Sequence, residues 1–201
     1  MIGSQGRIEE DSDRSLMARF RSGEEEAFRV LFDRYASHLV NFAFRFLNSK
    51  AEAEDLSQDV LLRVYKGREG YDPGRPFRPW IFSIASRLVS NRLRDRRRHP
   101  QEPLEGPGVG LEVSRPEPAD LSHPLPPEAL ERGQAVRAVQ EALSALPESQ
   151  RVVVLLSRFE RMSYQEIAQA LGTSEEAVKS LLYRARQGLK RLLLPYVSGP
   201  E

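Results

Sequence analysis

The sequence predicts an all-α protein made of two small helical domains joined by a proline-rich linker. Apolar residues recur at helical spacing on both sides of a central segment, as expected for amphipathic helices. That segment, residues 100–129, contains eight of the fourteen prolines, interleaved with glycines and acids, so it is predicted to be a linker rather than a helix. Farther on, Ser163 with Glu166 and Thr173 with Glu176 are spaced as two capping boxes, each typical of the first turn of a helix.

The first helical domain is predicted over residues 12–99, after a flexible tail of residues 1–11. Its four helices are expected at about residues 12–20, 24–47, 52–66 and 79–97. Gly67 is expected to end the third helix. Pro79 is expected in the first turn of the fourth helix, where proline is favoured.

The second helical domain is predicted over residues 130–194, followed by a tail of residues 195–201. Its helices are expected at about residues 134–143 and 147–159 and then in the two segments that begin at the capping boxes. Gly172 lies between those boxes, where a left-handed residue ends one helix and lets the chain turn sharply into the next. Two helices joined by a turn of three or four residues form a helix-turn-helix.

The second helix of this helix-turn-helix has one apolar and one basic face. The faces predicted to pack inward carry Tyr164, Ile167, Ala168 and Leu171 in the first helix and Val178, Leu181, Leu182, Ala185 and Leu189 in the second. The opposite face of the second helix carries Lys179, Ser180, Tyr183, Arg184 and Arg186, with no acid between residues 179 and 191. That face is predicted to contact DNA phosphates and base edges. The alternative is an ordinary helical hairpin with a solvated basic surface.

A second polar stripe runs along the fourth helix of the first domain. Trp80, Arg87, Asn91, Arg94 and Arg98 recur at spacings of seven, four, three and four residues. An aromatic ring offers a stacking surface and arginines follow phosphates, so this pattern is typical of single-strand binding. Alternatively, Trp80 belongs to the core and the arginines are solvated.

The third helix carries an acidic and partly apolar stripe. Asp55, Gln58, Asp59 and Leu62 fall at i, i+3, i+4 and i+7, on one face of the helix. Such a face can dock a basic partner helix. A solvated face is the alternative.

The composition is that of a soluble globular protein, with 40% hydrophobic and 29% charged residues among 201. The net charge of +1 conceals a basic segment at residues 87–98, with six arginines and one acid, and an acidic segment at residues 100–128, with six acids and one arginine. The absence of cysteine excludes disulfides and thiolate metal sites. The N-terminus lacks the apolar core of a signal peptide, and no stretch approaches about twenty apolar residues, so we expect a cytoplasmic protein without membrane insertion.

No catalytic machinery is expected from this sequence. It contains no phosphate-binding glycine loop, no nucleophile constellation and no cluster of metal ligands. The three histidines, His38, His99 and His123, are far apart and are predicted to be surface or packing residues. We therefore expect a protein that is not an enzyme and holds no metal or cofactor.

Four segments in order give the chain a family resemblance. They are GEEEAFRVLFDRY, AEAEDLSQDVLLRVY, FRPWIFSIASRLVSNRLRDRRR and LPESQRVVVLLSRFERMSYQEIAQALGTSEEAVKSLLYRARQGLKRLL. The chain resembles the bacterial sigma factors of RNA polymerase, in particular the extracytoplasmic-function (ECF) group, which keeps only the second and fourth sigma domains. The resemblance implies that the first domain binds RNA polymerase core and opens the minus-10 element of promoter DNA, and that the second reads the minus-35 element. It also implies an anti-sigma factor as a partner.

The resemblance assigns roles to the three stripes. It implies core-polymerase contacts for Asp55, Gln58, Asp59 and Leu62, minus-10 contacts for Trp80, Arg87, Asn91, Arg94 and Arg98, and minus-35 contacts for Lys179, Ser180, Tyr183, Arg184 and Arg186. Members of the group often carry asparagine where this chain has Arg87. In this chain, base recognition at the position of Arg87 is therefore expected to be either lost or replaced by a bidentate contact to guanine.

Two other functions fit the same residues. One is a free-standing helix-turn-helix regulator that binds operators as a dimer, its N-terminal domain sensing a ligand. The other is a helical interaction module with a basic surface. A measurement of DNA binding with and without RNA polymerase core distinguishes these two hypotheses from that of a sigma factor.

Overall fold

The structure of the chain, a computed structural model, describes residues 12–98 and 127–197, with the backbone alone for residues 127–134, 195 and 197. The predicted N-terminal tail at residues 1–11, most of the predicted linker and residues 198–201 lie outside the described residues. His99 and His123 lie outside them as well.

The described residues form α-helices and short connections, without a strand, which confirms the all-α prediction. The helices are α1 Asp13–Arg21, α2 Glu25–Leu47, α3 Lys50–Lys66, α4 Phe77–Arg98, α5 Pro127–Ser144, α6 Glu148–Arg158, α7 Tyr164–Leu171 and α8 Glu175–Val197, with a single 3₁₀ turn at Arg68–Gly70 between α3 and α4. We call α1 to α4 the first unit and α5 to α8 the second unit.

Several helix ends differ from the predicted positions. α5 begins at Pro127, inside the segment predicted as linker, because a proline without an N–H is compatible with a first helical turn. α8 continues to Val197 and so includes residues predicted as tail. The 3₁₀ turn at Arg68–Gly70 lies in a predicted loop. α4 begins at Phe77, so that Pro79 stands third in the helix, still among the positions whose N–H needs no helical partner.

The first unit is built around α2. The ring of Phe42 in α2 packs edge-on against Phe82 of α4, with 5.5 Å between the ring centroids, and Tyr35 packs similarly against Phe77 at 5.3 Å. α3 lies along α2 and buries Leu56 among its inward residues. Because α3 buries this side, its opposite face is left at the surface.

In the second unit, the helix-turn-helix formed by α7 and α8 packs on α6. All five residues from Val152 to Leu156 are buried, and Ile167 of α7 with Val178, Leu182 and Ala185 of α8 complete the apolar interior. Gly172 ends α7 with φ +64°, as the sequence predicted. Tyr164, predicted to face inward, is an exception at 36% exposed, because as the first residue of α7 it has no preceding turn to cover it.

One of the two predicted capping boxes is present. The Ser163 side chain accepts a hydrogen bond from the backbone N–H of Glu166, and the Glu166 carboxylate accepts one from the Ser163 N–H. The box predicted at Thr173 is wrong, because α8 begins one residue later and the Ser174 hydroxyl accepts the hydrogen bond from the Ala177 N–H. Thr and Ser are both good N-cap residues, so sequence spacing alone did not distinguish them.

The two units pack against each other. α4 contacts α7, and α2 contacts α5. A single cluster of buried apolar side chains contains residues from both units.

Candidate functional site

The outward face of α8 is a basic surface. Lys179, Ser180, Tyr183, Arg184 and Arg186 are all exposed, with Tyr183 65% exposed, whereas Leu182 and Ala185 between them are buried. The side chains predicted to contact DNA in this helix therefore share one accessible face. A helix with this arrangement can enter a major groove and direct cations toward phosphates and base edges.

The N-terminus of α8 has an acid fixed by local hydrogen bonds. The pKa of Glu176 is lowered by a backbone hydrogen bond at its own position and by one with the Ser174 side chain. A negative charge at a helix N-terminus interacts favourably with the helix dipole. Glu176 is therefore an ionised carboxylate directly ahead of the basic face.

The polar stripe of α4 is divided between two environments. Arg87, Asn91 and Arg94 line a cleft of about 760 Å³ between α4 and the second unit, whereas Trp80 and Arg98 are not among its lining residues. Among the other residues on the α4 side of the cleft is Ser86, whose buried hydroxyl has no hydrogen-bond partner. Three of the five α4 residues predicted to bind a single DNA strand therefore line one cleft.

Trp80 is half-buried in an aromatic group of the first unit. Its ring centroid lies 4.8 Å from that of Tyr71 and 5.8 Å from that of Phe77. Gly67 lies beneath the ring, and a Cβ there would be 3.7 Å from Trp80 Cζ2. Trp80 thus packs partly on the core while retaining some accessible surface.

The acidic stripe of α3 is accessible but not free of partners. Asp55, Gln58 and Leu62 are exposed, Leu62 at 49%. Arg92 of α4 places its Nη2 atom 2.5 Å from Asp55 Oδ2 and 3.6 Å from Asp59 Oδ2. The hydrogen bond with Asp55 raises the pKa of the Arg92 guanidinium. The two carboxylates of this face are therefore held by α4.

No metal site or membrane span is found in the part of the chain that the structure describes. Histidine and acidic side chains there do not gather in groups of three or more that could bind a metal ion. Within residues 12–98 and 127–197, none of the helices has the length and apolarity needed to cross a bilayer.

The three faces lie in segments that match known families. The family model described as Sigma-70 region 2 matches residues 31–99, and the model described as Sigma-70, region 4 matches residues 136–189. The RNA polymerase sigma factor CarQ of Myxococcus xanthus is 33% identical over 177 residues, covering 88% of this chain and 95% of CarQ. The ECF RNA polymerase sigma factor SigW of Bacillus subtilis is 28% identical over 174 residues, covering 86% of this chain and 92% of SigW.

The chain belongs to the ECF group of the sigma-70 family. A solved structure agrees with this assignment. The structure of CnrH in complex with the cytosolic domain of CnrY is similar to that of the present sigma factor, with a TM-score of 0.67 and 28% identity, covering 91% of this chain and 97% of that chain. Region 2 of the sigma factor contains α3 and α4, and region 4 contains the helix-turn-helix.

Sequence reasoning missed two residues that organise this sigma factor. Arg92 was not singled out, although Arg92 and Arg96 are four residues apart on α4 and meet Asp55 and Glu52 of α3, each pair at 2.5 Å. Matching charge ladders on two neighbouring helices were the available signal. Glu160 was also missed. It follows α6 and is only 3% exposed, and no local pattern distinguishes it from a surface acid.

Proposed function

We propose that this sigma factor is a transcription initiation factor that binds RNA polymerase core and directs it to specific promoters. One observation carries the proposal: a single chain of the sigma-70 family presents two basic faces, on α4 and α8, and an acidic face on α3. This combination of faces fits a protein that works on DNA together with a large basic partner.

The energetics of promoter opening require such a partner. Separating a duplex costs on the order of 1.4 kcal/mol per base-pair step. One base stacked on an aromatic side chain returns about 1–3 kcal/mol. The first unit offers one such ring in its polar stripe, Trp80, so the remaining free energy has to come from phosphate contacts supplied by the polymerase.

The proposal gives each face a role. Asp55, Gln58, Asp59 and Leu62 contact the core enzyme, Trp80, Arg87, Asn91, Arg94 and Arg98 contact the minus-10 strand, and Lys179, Ser180, Tyr183, Arg184 and Arg186 contact the minus-35 element. The sigma factor acts in the cytoplasm, without catalysis or a cofactor of its own. An anti-sigma factor is a further partner, as CnrH was solved with a bound protein domain.

A reconstitution experiment tests the proposed function. Full-length protein is incubated with a random double-stranded DNA library, with and without purified RNA polymerase core, and bound DNA is sequenced. We expect enrichment of a bipartite promoter and transcription from it only when core is present. Specific operator binding by a dimer without core would instead establish the free-standing regulator. Retention of neither DNA nor core would establish the interaction module.

Arg184→Ala is expected to weaken binding of the holoenzyme to the selected promoter and to relax its preference at one minus-35 position. Loss of a base-edge contact costs about 1–3 kcal/mol, roughly five- to 150-fold in affinity. The measurement is binding by holoenzyme over a panel of minus-35 variants. Unchanged affinity and unchanged base preference would remove Arg184 from the reading surface.

Lys179→Ala provides the matched control on the same exposed face. If Lys179 contacts only phosphate, the variant binds all sequences more weakly to the same extent. It also reduces the dependence of affinity on salt concentration by about one counterion. A change in base preference would place Lys179 among the base contacts instead.

Trp80→Ala is expected to impair promoter opening more than initial promoter binding, because the ring stacks on a base only after strands separate. Permanganate reactivity of minus-10 thymines in the holoenzyme complex measures opening, and a gel shift measures binding. Trp80→Phe, which keeps a stacking surface, should open the promoter better than Trp80→Ala. Normal opening by a folded Trp80→Ala protein would assign Trp80 to the core alone.

A further inference from the structure

The cleft between the two units combines positive charge with apolar surface. Its volume of about 760 Å³ falls within the range of about 300–1,000 Å³ that is typical of small-molecule sites. One wall is the side of α4 that carries Arg87, Arg94 and Arg97. The opposite wall is the N-terminus of α6 together with apolar residues of α6, α7 and α8. The cleft therefore has the size and the mixed character of a site for a small organic ligand.

Two arginines of the cleft have no partner among the described residues. Arg92 and Arg96, on another side of the same helix, pair with acids of α3. By contrast, no acid or polar group of the described chain pairs with Arg87 or Arg94, and both side chains are exposed. The guanidinium group of arginine offers a fork of donors that matches a carboxylate or a phosphate. The positive charge of this cleft is therefore available to an anionic ligand.

Glu148 is the one acid among the residues that line the cleft, and it already has partners. Its Oε1 accepts a hydrogen bond from the Ser90 hydroxyl at 2.5 Å, and its Oε2 lies 3.8 Å from Arg97 Nη2. The charges of Arg87 and Arg94 are not offset by this carboxylate. A cleft lined mainly by one sign of charge attracts ligands of the opposite sign.

The N-terminus of α6 faces the same cleft without a capping side chain. Pro147 occupies the N-cap position and makes no side-chain cap hydrogen bond. Pro147, Glu148 and Ser149 all line the cleft. The first N–H groups of a helix have no partner within it and lie at the positive end of the helix dipole, so they bind phosphate oxygens well. The arginines of α4 and this helix end therefore present donors to the same space.

A buried hydroxyl on the wall of the cleft also lacks a partner. Ser86 lines the cleft from α4 and is only 6% exposed. Its Oγ has no hydrogen-bond partner among the described residues. Buried polar groups in native proteins are nearly always hydrogen-bonded. A ligand atom in the cleft would supply the partner that the described chain does not.

Contacts at both ends of α6 fix the geometry of the cleft. The hydrogen bond between Ser90 and Glu148 joins the N-terminal end of α6 to α4. Beyond the C-terminal end, the buried Glu160 carboxylate lies 2.9 Å from His38 Nδ1 of α2 and 3.5 Å from Arg78 Nη2 of α4. The helix end and the arginines are thus held opposite each other before a ligand binds. Donors arranged in advance bind more tightly, because less conformational freedom is lost on binding.

We propose that this cleft binds a phosphorylated small molecule of the size of a nucleoside diphosphate. The phosphate groups lie between the N-terminus of α6 and the side chains of Arg87 and Arg94, and the Ser86 hydroxyl is a further donor. The organic part of the ligand lies against the apolar wall, which includes Leu171 of α7 and Leu181 of α8. The inference goes beyond the proposed function and does not depend on it, because the site is formed by the free protein.

The test measures ligand binding to the full-length protein by calorimetry. The probes are ADP, GDP, inorganic pyrophosphate and adenosine, at constant ionic strength. We expect both nucleotides to bind, pyrophosphate to bind more weakly because it leaves the apolar wall uncovered, and adenosine not to bind because it lacks phosphates. The melting temperature should rise with nucleotide concentration, since a ligand that binds only the folded protein stabilises it.

The deciding variant is Ser149→Glu, which places a carboxylate in the first turn of α6 on the wall of the cleft. An acid at this end of a helix is favourable for the helix, so the variant should fold. We expect it to bind ADP at least about tenfold more weakly, because like charges across a binding site repel. Gln150→Glu is the matched control: it adds the same charge to the same turn, but Gln150 does not line the cleft, so ADP binding should change little.

A second pair of variants tests the opposite wall. Arg87→Ala with Arg94→Ala removes the two arginines that lack partners in the described chain, and we expect ADP binding to be lost. Arg98→Ala removes an exposed arginine of the same helix that does not line the cleft, so ADP binding should persist. Circular dichroism confirms that each variant is folded.

Three results would overturn the inference. The first is that neither nucleotide binds at millimolar concentration. The second is nucleotide binding that persists both in Ser149→Glu and in the double arginine variant, which would place the nucleotide elsewhere. The third is that Ser149→Glu weakens binding of a single-stranded oligonucleotide while no nucleotide binds, which would assign the cleft to the DNA backbone. Ser149 is not among the proposed promoter contacts, so core binding and transcription by Ser149→Glu without nucleotide report separately on the proposed function and should be normal.

Discussion

Asp55→Lys combined with Asp59→Lys is expected to abolish binding to RNA polymerase core and, with it, transcription from the selected promoter. Both carboxylates lie on the accessible face of α3, and reversing them converts attraction for a basic partner helix into repulsion. Like charges placed across an interface cost several kcal/mol, at least about a hundredfold in affinity. Co-purification with core and run-off transcription measure the effect.

The structure supplies a control for this double variant. Arg92 holds both carboxylates, so the reversal also breaks an intramolecular ion pair and places cations next to Arg92. Exposed pairs contribute about 0.2–1 kcal/mol, so the variant should remain folded. Adding Arg92→Glu restores opposite charges within the fold but leaves the docking face reversed. Core binding by this triple variant at the level of the unsubstituted protein would show that α3 acts through Arg92 rather than by docking.

Phe82→Ala is expected to destabilise the protein more than any other substitution considered for this chain. Phe82 is fully buried in α4, and its ring packs edge-on against Phe42 of α2. Removing such a ring costs about 3–5 kcal/mol because the space it leaves is only partly refilled. That is a large share of the total stability of about 5–15 kcal/mol typical of proteins.

Thermal and denaturant unfolding followed by circular dichroism measure this loss. For a unit of this size, the melting temperature should fall by at least about 12 °C. Phe32→Ala is the matched control, since Phe32 lies in α2 with 42% of its surface exposed. Its unfolding free energy should change by about 0.5 kcal/mol or less. Equal losses from the two substitutions would contradict the packing of α4 on α2.

Local sequence patterns were enough to predict the features that depend on neighbours within one helix. The helical period and the local capping residues located the helices of the described chain to within a few residues, except for the start of α5, which lies inside the segment predicted as linker. The faces of α8 followed from the same period, because the alternation of buried Leu182 and exposed Tyr183 is a property of one helix. Gly172 was correctly predicted to end α7, because the turn after that helix requires a residue in the left-handed conformation. Thr173 was misassigned because the adjacent Ser174 serves equally well as an N-cap.

Which distant residues meet depends on packing between helices, and no local pattern predicted it. The spacing of Trp80 and Arg87 placed them on one stripe, but the packing of Trp80 on Tyr71 separates them. Asp55 had the pattern of a docking residue, and the crossing of α4 over α3 gave it Arg92 as a partner. No local sequence pattern indicated that Glu160 is buried. Its burial arises because two units distant in the sequence come together, and contacts of that kind are set by packing rather than by any local period.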